Sequence, residues 1–99
     1  MKRRLKLRRG ARVDLSEIWV FTTQRWSAAQ ADHYLIGLND MLDLLCANPE
    51  IAPEFGKFTP TVRIYRYRSH LVIFTFDESV VEVIRVVHGR SNWVDLVQG

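Results

Sequence analysis

Apolar and polar residues alternate over residues 3–8, where Leu5 and Leu7 are interleaved with Arg4, Lys6 and Arg8. A period of two predicts a strand with one wet face. Gly10 is expected to end it. From Ala11 the period lengthens, and Leu15, Ile18, Trp19, Thr22 and Trp26 recur at helical spacing, predicting a helix that runs to about Trp26. Asp14 and Glu17 fall near its start, where negative charge suits the helix dipole. Ser27, with Gln30 three residues on, is a capping-box pattern that opens a second helix. Its apolar stripe is Ala31, Tyr34, Leu35, Leu38, Met41, Leu42 and Leu45, and Asn48-Pro49 closes it. So short a link makes the two helices antiparallel neighbours.

Residues 51–60 carry two prolines and a glycine without periodicity and read as a connector. Three strand-like runs follow, at 62–67, 71–76 and 80–88, with joins short enough for hairpins. These predict an antiparallel meander. The helical hairpin buries its stripe against one face of that sheet, so the expected fold is a single α+β domain over residues 1–99. Its order is β-α-α-β-β-β, in two layers, with the hairpin packed on a mainly antiparallel sheet. Strand parity groups Val62 with Ile64 on one face, and Arg63, Tyr65 and Tyr67 on the other. On the last strand it groups Val81, Val83, Arg85 and Val87 against Glu82, Ile84, Val86 and His88, so a regular strand points Arg85 and His88 apart. Only a bulge, or an early end to the strand, would bring them together.

Composition narrows the function classes. The chain of 99 residues is 47% hydrophobic and 11% aromatic, which suits one folded domain. A lone cysteine, Cys46, excludes an internal disulfide and a cysteine-based zinc site, and it reads as a small core hydrophobe. Three scattered histidines have no metal-ligand spacing, and no glycine-rich phosphate loop is present, so neither metal nor cofactor is expected. No apolar run approaches the roughly 18 residues of a membrane span, and the basic start lacks an apolar signal core. A cytoplasmic location is therefore the expectation.

The net charge of +3 hides segregation along the chain. Residues 1–12 hold seven basic groups and no acid, residues 13–56 hold seven acids against Arg25 alone, and residues 57–99 hold six basic groups against four acids. A basic face attracts nucleic acid or an acidic partner through long-range steering. The chemistry-bearing stretch is Ile84-Arg85-Val86-Val87-His88-Gly89-Arg90, a β-branched run holding an arginine and ending in histidine, glycine and arginine. A guanidinium inside such a run needs an anion or a ring of acceptors to offset its desolvation. Bland roles compete with functional ones. Arg63 pairs with a helix carboxylate such as Asp14 or Glu17, His88 finishes the sheet, His70 is a turn residue, His33 lies on a helix surface, and Trp19 and Trp26 are core.

In order and spacing the chain resembles the ParE branch of the RelE/ParE toxin superfamily. The resemblance rests on Ala11-x-x-Asp14-Leu15-x-x-Ile18-Trp19, Trp26-x-x-x-Gln30-Ala31-x-x-Tyr34, Pro49, Arg63, His70-x-Val72-Ile73-Phe74 and the closing Arg85-Val86-Val87-His88-Gly89-Arg90. Thr75 stands where relatives often carry tyrosine, and Arg90-Ser91-Asn92 replaces a frequent Arg-x-Asp. The resemblance implies the toxin of a bacterial type II toxin–antitoxin pair that poisons DNA gyrase and stalls replication. A ParD-like ribbon-helix-helix antitoxin with an acidic tail would neutralise it. That role is inhibition and not catalysis. It gives Arg63, Tyr65, Arg85, His88, Arg90 and Trp93 as partner-binding candidates, with no sequence-specific nucleic-acid binding. The rival is a RelE-like, ribosome-dependent messenger-RNA endoribonuclease. There Arg63 and Arg85 would stabilise the phosphorane and His88 would move the proton. No lysine on the late strands supports that chemistry.

Overall fold

A computed structural model describes residues 2–56 and 58–98. Met1, Lys57 and Gly99, the ends and one connector position of the expected domain, lie outside the described residues. Strand β1 (Arg4–Leu7) leads into α1 (Arg9–Arg25) and α2 (Ala28–Ala47), and a turn of 3-10 helix at Pro49–Ile51 precedes the two-residue β2 (Glu54–Phe55). Strands β3 (Val62–Tyr67), β4 (His70–Phe76) and β5 (Val80–His88) follow, then the short α3 (Trp93–Gln98).

The five strands form one sheet in the order β1-β5-β4-β3-β2, parallel only between β1 and β5. The expected α+β architecture is therefore observed. The Ser27 Oγ accepts from the Gln30 backbone N–H at 3.0 Å, as the capping pattern requires. Leu38, Met41, Leu42, Leu45 and Cys46 of α2 pack with Val72, Phe74, Val81 and Val83 in the main core. Full burial of each large aliphatic side chain there contributes about 2 kcal/mol.

The central strand β4 is buried on both faces. Val72 and Phe74 join the helix-side core, while Leu71 and Ile73 join a second cluster with Phe58, Val62 and Val87. That second cluster is covered by Trp93, Val94 and Val97 of α3, a helix absent from the sequence reading.

Three expectations are corrected. Gly10 does not end the first strand in open chain but lies in the first turn of α1. Asp14 is consequently too far along the helix to serve its dipole, and it is buried, with 7% exposed. Trp19 and Trp26 are not core residues, being 37% and 71% exposed. The buried stripe of α1 is Ala11, Asp14 and Ile18, so Trp19 sits about 100° round the helix from it. Trp26 is the C-terminal cap at the hairpin turn, and the Trp19 indole N–H donates to Asp32 at 3.1 Å.

Candidate functional site

The strand that carries the closing arginine and histidine is not regular. Its pairing with β4 runs Ile73 opposite Arg85 and then Phe74 opposite Val83, leaving Ile84 as a bulge. The extra residue breaks the simple parity of the sequence reading. Val83 and Val86 both enter the helix-side core, while Ile84 and Val87 belong to the opposite cluster.

The bulge falls where β1 runs out, since Leu7 pairs with Val83 at the last position of that ladder. Beyond it the edge of β5 is met by a side chain. Asp14 accepts from the Val86 backbone N–H at 2.8 Å and from Arg85 Nε and Nη2 at 2.7 and 2.9 Å. One carboxylate thus satisfies a ladder donor and binds a guanidinium in a fork, the strong geometry for this pair. Gly10 makes room, because a Cβ there would stand 2.8 Å from Arg85 Cδ. The carboxylate partner considered for Arg63 belongs instead to Arg85.

A cleft of about 360 Å³ opens beside this clamp, between α1, the end of β5 and α3, with Glu17, Phe21, His70, Arg85, His88 and Leu96 among its walls. The bulge precedes both Arg85 and His88, yet the two line one cleft. His70 is not a turn residue but the first residue of β4, directly opposite His88 in the ladder, with the rings 5.4 Å apart. His70 Nδ1 shares a 2.7 Å hydrogen bond with the Tyr34 hydroxyl of α2, and His88 Nδ1 accepts from the Arg90 backbone N–H at 3.1 Å.

Burial, and then the neighbouring His88, hold the His70 pKa below the ordinary histidine value, against a smaller opposite pull from Asp14. An unfolded His70 takes up its proton near pH 6.5, and the folded one only at a lower pH. Stability from this group is therefore complete above about pH 6.5 and is lost as pH falls from there toward the folded pKa. In urea titrations a His70→Gln variant is expected to lose less stability than the parent across that acid interval. Parallel pH profiles for the two proteins would contradict this.

The other sequence candidates are dispersed. Arg63 lies one row from Arg85 across the sheet but four rows from the His70–His88 pair, and it is occupied. Its Nη1 donates to the Ala52 carbonyl at 2.6 Å, its Nη2 meets Glu54 at 3.2 Å, and the guanidinium stacks over Phe76 at 5.3 Å. A larger hollow of about 1060 Å³ on that side holds Arg63 and Arg8, whose charges are met by Glu54 and Glu82. Tyr65 packs against the helix-side core, Trp93 meets Phe55 edge to face at 5.1 Å, and Arg90 is exposed on the turn after β5. Asp14, Tyr34 and His70 were missed as site residues. The one available signal for His70 was that folding back the 77–79 turn sets it against His88.

The family described as "ParE toxin of type II toxin-antitoxin system, parDE" matches residues 5–93. The chain belongs to the ParE toxin family. Toxin ParE1 of Mycobacterium tuberculosis is 34% identical over 93 residues, covering 93% of this chain and 95% of that one. Toxin ParE1 of Caulobacter vibrioides is 30% identical over 87 residues, covering 88% and 90%. A solved structure titled "Chromosomal ParDE TA system from P. aeruginosa" superposes with a TM-score of 0.72 at 17% identity, over 88% of this chain and 96% of that one, and so shares the fold. As a ParE-family toxin the chain is one half of a toxin–antitoxin pair, and no helix among its described residues is long and apolar enough to cross a membrane.

Proposed function

We propose that this ParE-family chain poisons DNA gyrase, holding the enzyme on cleaved DNA so that replication stalls, and that a ParD-like antitoxin neutralises it. The observation that carries the reading is the family match across residues 5–93. The geometry supports a gripping surface over a ribonuclease centre. Arg85 is neutralised by Asp14 and Arg63 by Glu54, and Arg63 lies four rows of the sheet from His88, so the three residues of a cleavage reaction do not converge. The antitoxin reading is supported by the exposed apolar side chains Phe21 at 60% and Leu96 at 48% beside a cleft that also presents His88. An acidic segment that folds on binding buries such surface while the net positive charge of the chain attracts it.

Purified protein added to gyrase and relaxed plasmid is expected to block supercoiling and to release linear DNA after denaturation. Normal supercoiling without cleaved product would overturn the proposal. Transcript cleavage in a translating extract, abolished by His88→Ala, would establish the ribonuclease instead.

A further inference from the structure

The end of the sheet carries a cationic patch of which the toxin–antitoxin reading uses Arg90 alone. Two turns meet there, the Arg68-Ser69 turn joining β3 to β4 and the Gly89-Arg90 turn after β5. The Gly89 N–H donates to the Ser69 carbonyl at 2.8 Å and ties them together. Arg66, Arg68 and Arg90 are all exposed, and none makes an ion pair with a carboxylate among the described residues. Other cations beside the sheet behave differently: Lys6 and Arg8 pair with Glu82, Arg63 with Glu54 and Arg85 with Asp14, although Arg4 of β1 also makes no ion pair among the described residues.

The patch is also built. The Arg66 guanidinium lies over Gly89, where a Cβ would stand 3.2 Å from Nη2, and its Nη1 donates to the Arg68 carbonyl at 3.2 Å. Arg68 is held at φ 51°, the left-handed region, at a turn position where asparagine or glycine would fit without steric cost. An arginine kept there at a cost to stability, beside two more without counter-charge, marks a surface made to meet an anion.

We infer that Arg66, Arg68 and Arg90 form a docking surface for the phosphodiester backbone of a nucleic-acid duplex. The surroundings favour this ligand over an acidic peptide. Among the described residues every exposed large hydrophobic lies on a helical segment or at a helix end, so the two turns themselves carry none for a folding segment to bury, while Phe21 and Leu96 line the neighbouring cleft with His88. The patch's exposed ring, His88, is packed edge-on against His70 at 5.4 Å, and the Tyr67 ring is half-buried beneath Arg68, whose guanidinium lies 5.7 Å from the ring centre, so successive unpaired bases find no stacking platform. Contacts to phosphates position a protein without reading sequence. The inference does not depend on gyrase being the target, since it concerns duplex bound by the toxin alone.

Fluorescence anisotropy with labelled duplex DNA, and with duplex RNA of the same sequence, tests it and separates the two sources of phosphate. Three phosphate contacts give a salt slope of about −2.7 on DNA, or an affinity loss of about 40-fold between roughly 50 and 200 mM salt. Combined Arg66→Gln, Arg68→Asn and Arg90→Gln substitution should flatten that slope, while Arg4→Gln with Lys6→Gln on β1 should leave it intact. Arg68→Asn alone should weaken binding and raise the melting temperature, a divergence that a purely structural arginine would not produce. No binding to either duplex, a triple variant that binds like the parent, or a polyglutamate peptide bound more tightly than duplex through the same arginines would each overturn the assignment.

Discussion

Replacing Asp14 with alanine is expected to destabilise the protein by about 3 kcal/mol, lowering its melting temperature by roughly 15 °C. The cost has two parts. The Val86 N–H loses its acceptor at a position beyond the reach of β1, and an unmet buried donor costs about 1–3 kcal/mol. Arg85, whose side chain remains 27% exposed, loses its fork partner but recovers some hydration, so its share falls below that of a fully buried ion. Asp14→Asn should cost less, because the amide oxygen still accepts from Val86. A double-mutant cycle with Arg85→Ala separates the contributions: the pair should couple by about 1–3 kcal/mol. Additive losses would mean that the clamp does not hold the end of β5. If it does hold, the cleft beside His88 should loosen before the main core does, and native-state hydrogen exchange at Val86 would register that first.

Phe74→Ala should cost about 4 kcal/mol, the largest loss from any single truncation proposed for this chain. Phe74 is fully buried, on the strand whose two neighbours both pair with it, and it faces the helix-side core. Neither α2 nor the sheet can close the resulting cavity without moving the other. Ile73 is equally inaccessible but faces the smaller cluster under α3, a short helix with few contacts to the sheet. That side can collapse, so Ile73→Ala should cost about 2 kcal/mol. Urea denaturation would show both as lower midpoints at unchanged slope. An Ile73→Ala loss equal to or above that of Phe74→Ala would make the outer cluster, not the helix-side core, the principal support of the sheet.

Local chemistry was readable where it acts over a few residues. The Ser27 cap, the stripe of α2, the meander of three strands and the burial of Cys46 all follow from spacing and side-chain type. The unbroken apolar run Leu71–Phe74 is what burial on both faces requires, and α3 completes that second face together with Phe55 and Phe58. Trp19 and Trp26 misled because aromatic size argues for burial, whereas angular position on α1 decides it for Trp19 and the hairpin turn for Trp26. The candidate site was legible only as a set of residue types. Arg85 was recognised as a cation in need of an anion, yet its anion lies 71 positions earlier in the chain.

By itself, the sequence determined α1, α2, the four longer strands, their order and the α+β class, because periodicity, caps and turn residues act within reach of one another. Strand β2 and helix α3 escaped it, and the ParE family was legible in the order and spacing of its motifs. Only the tertiary structure decided what the closing strand does. The bulge at Ile84 exists because β1 stops at Leu7 and Asp14 must take over as the partner of β5. His70 meets His88, and Arg66 meets Gly89, only when β3, β4 and β5 are paired in register. Register is fixed by the burial of whole strand faces and not by the residues it brings together.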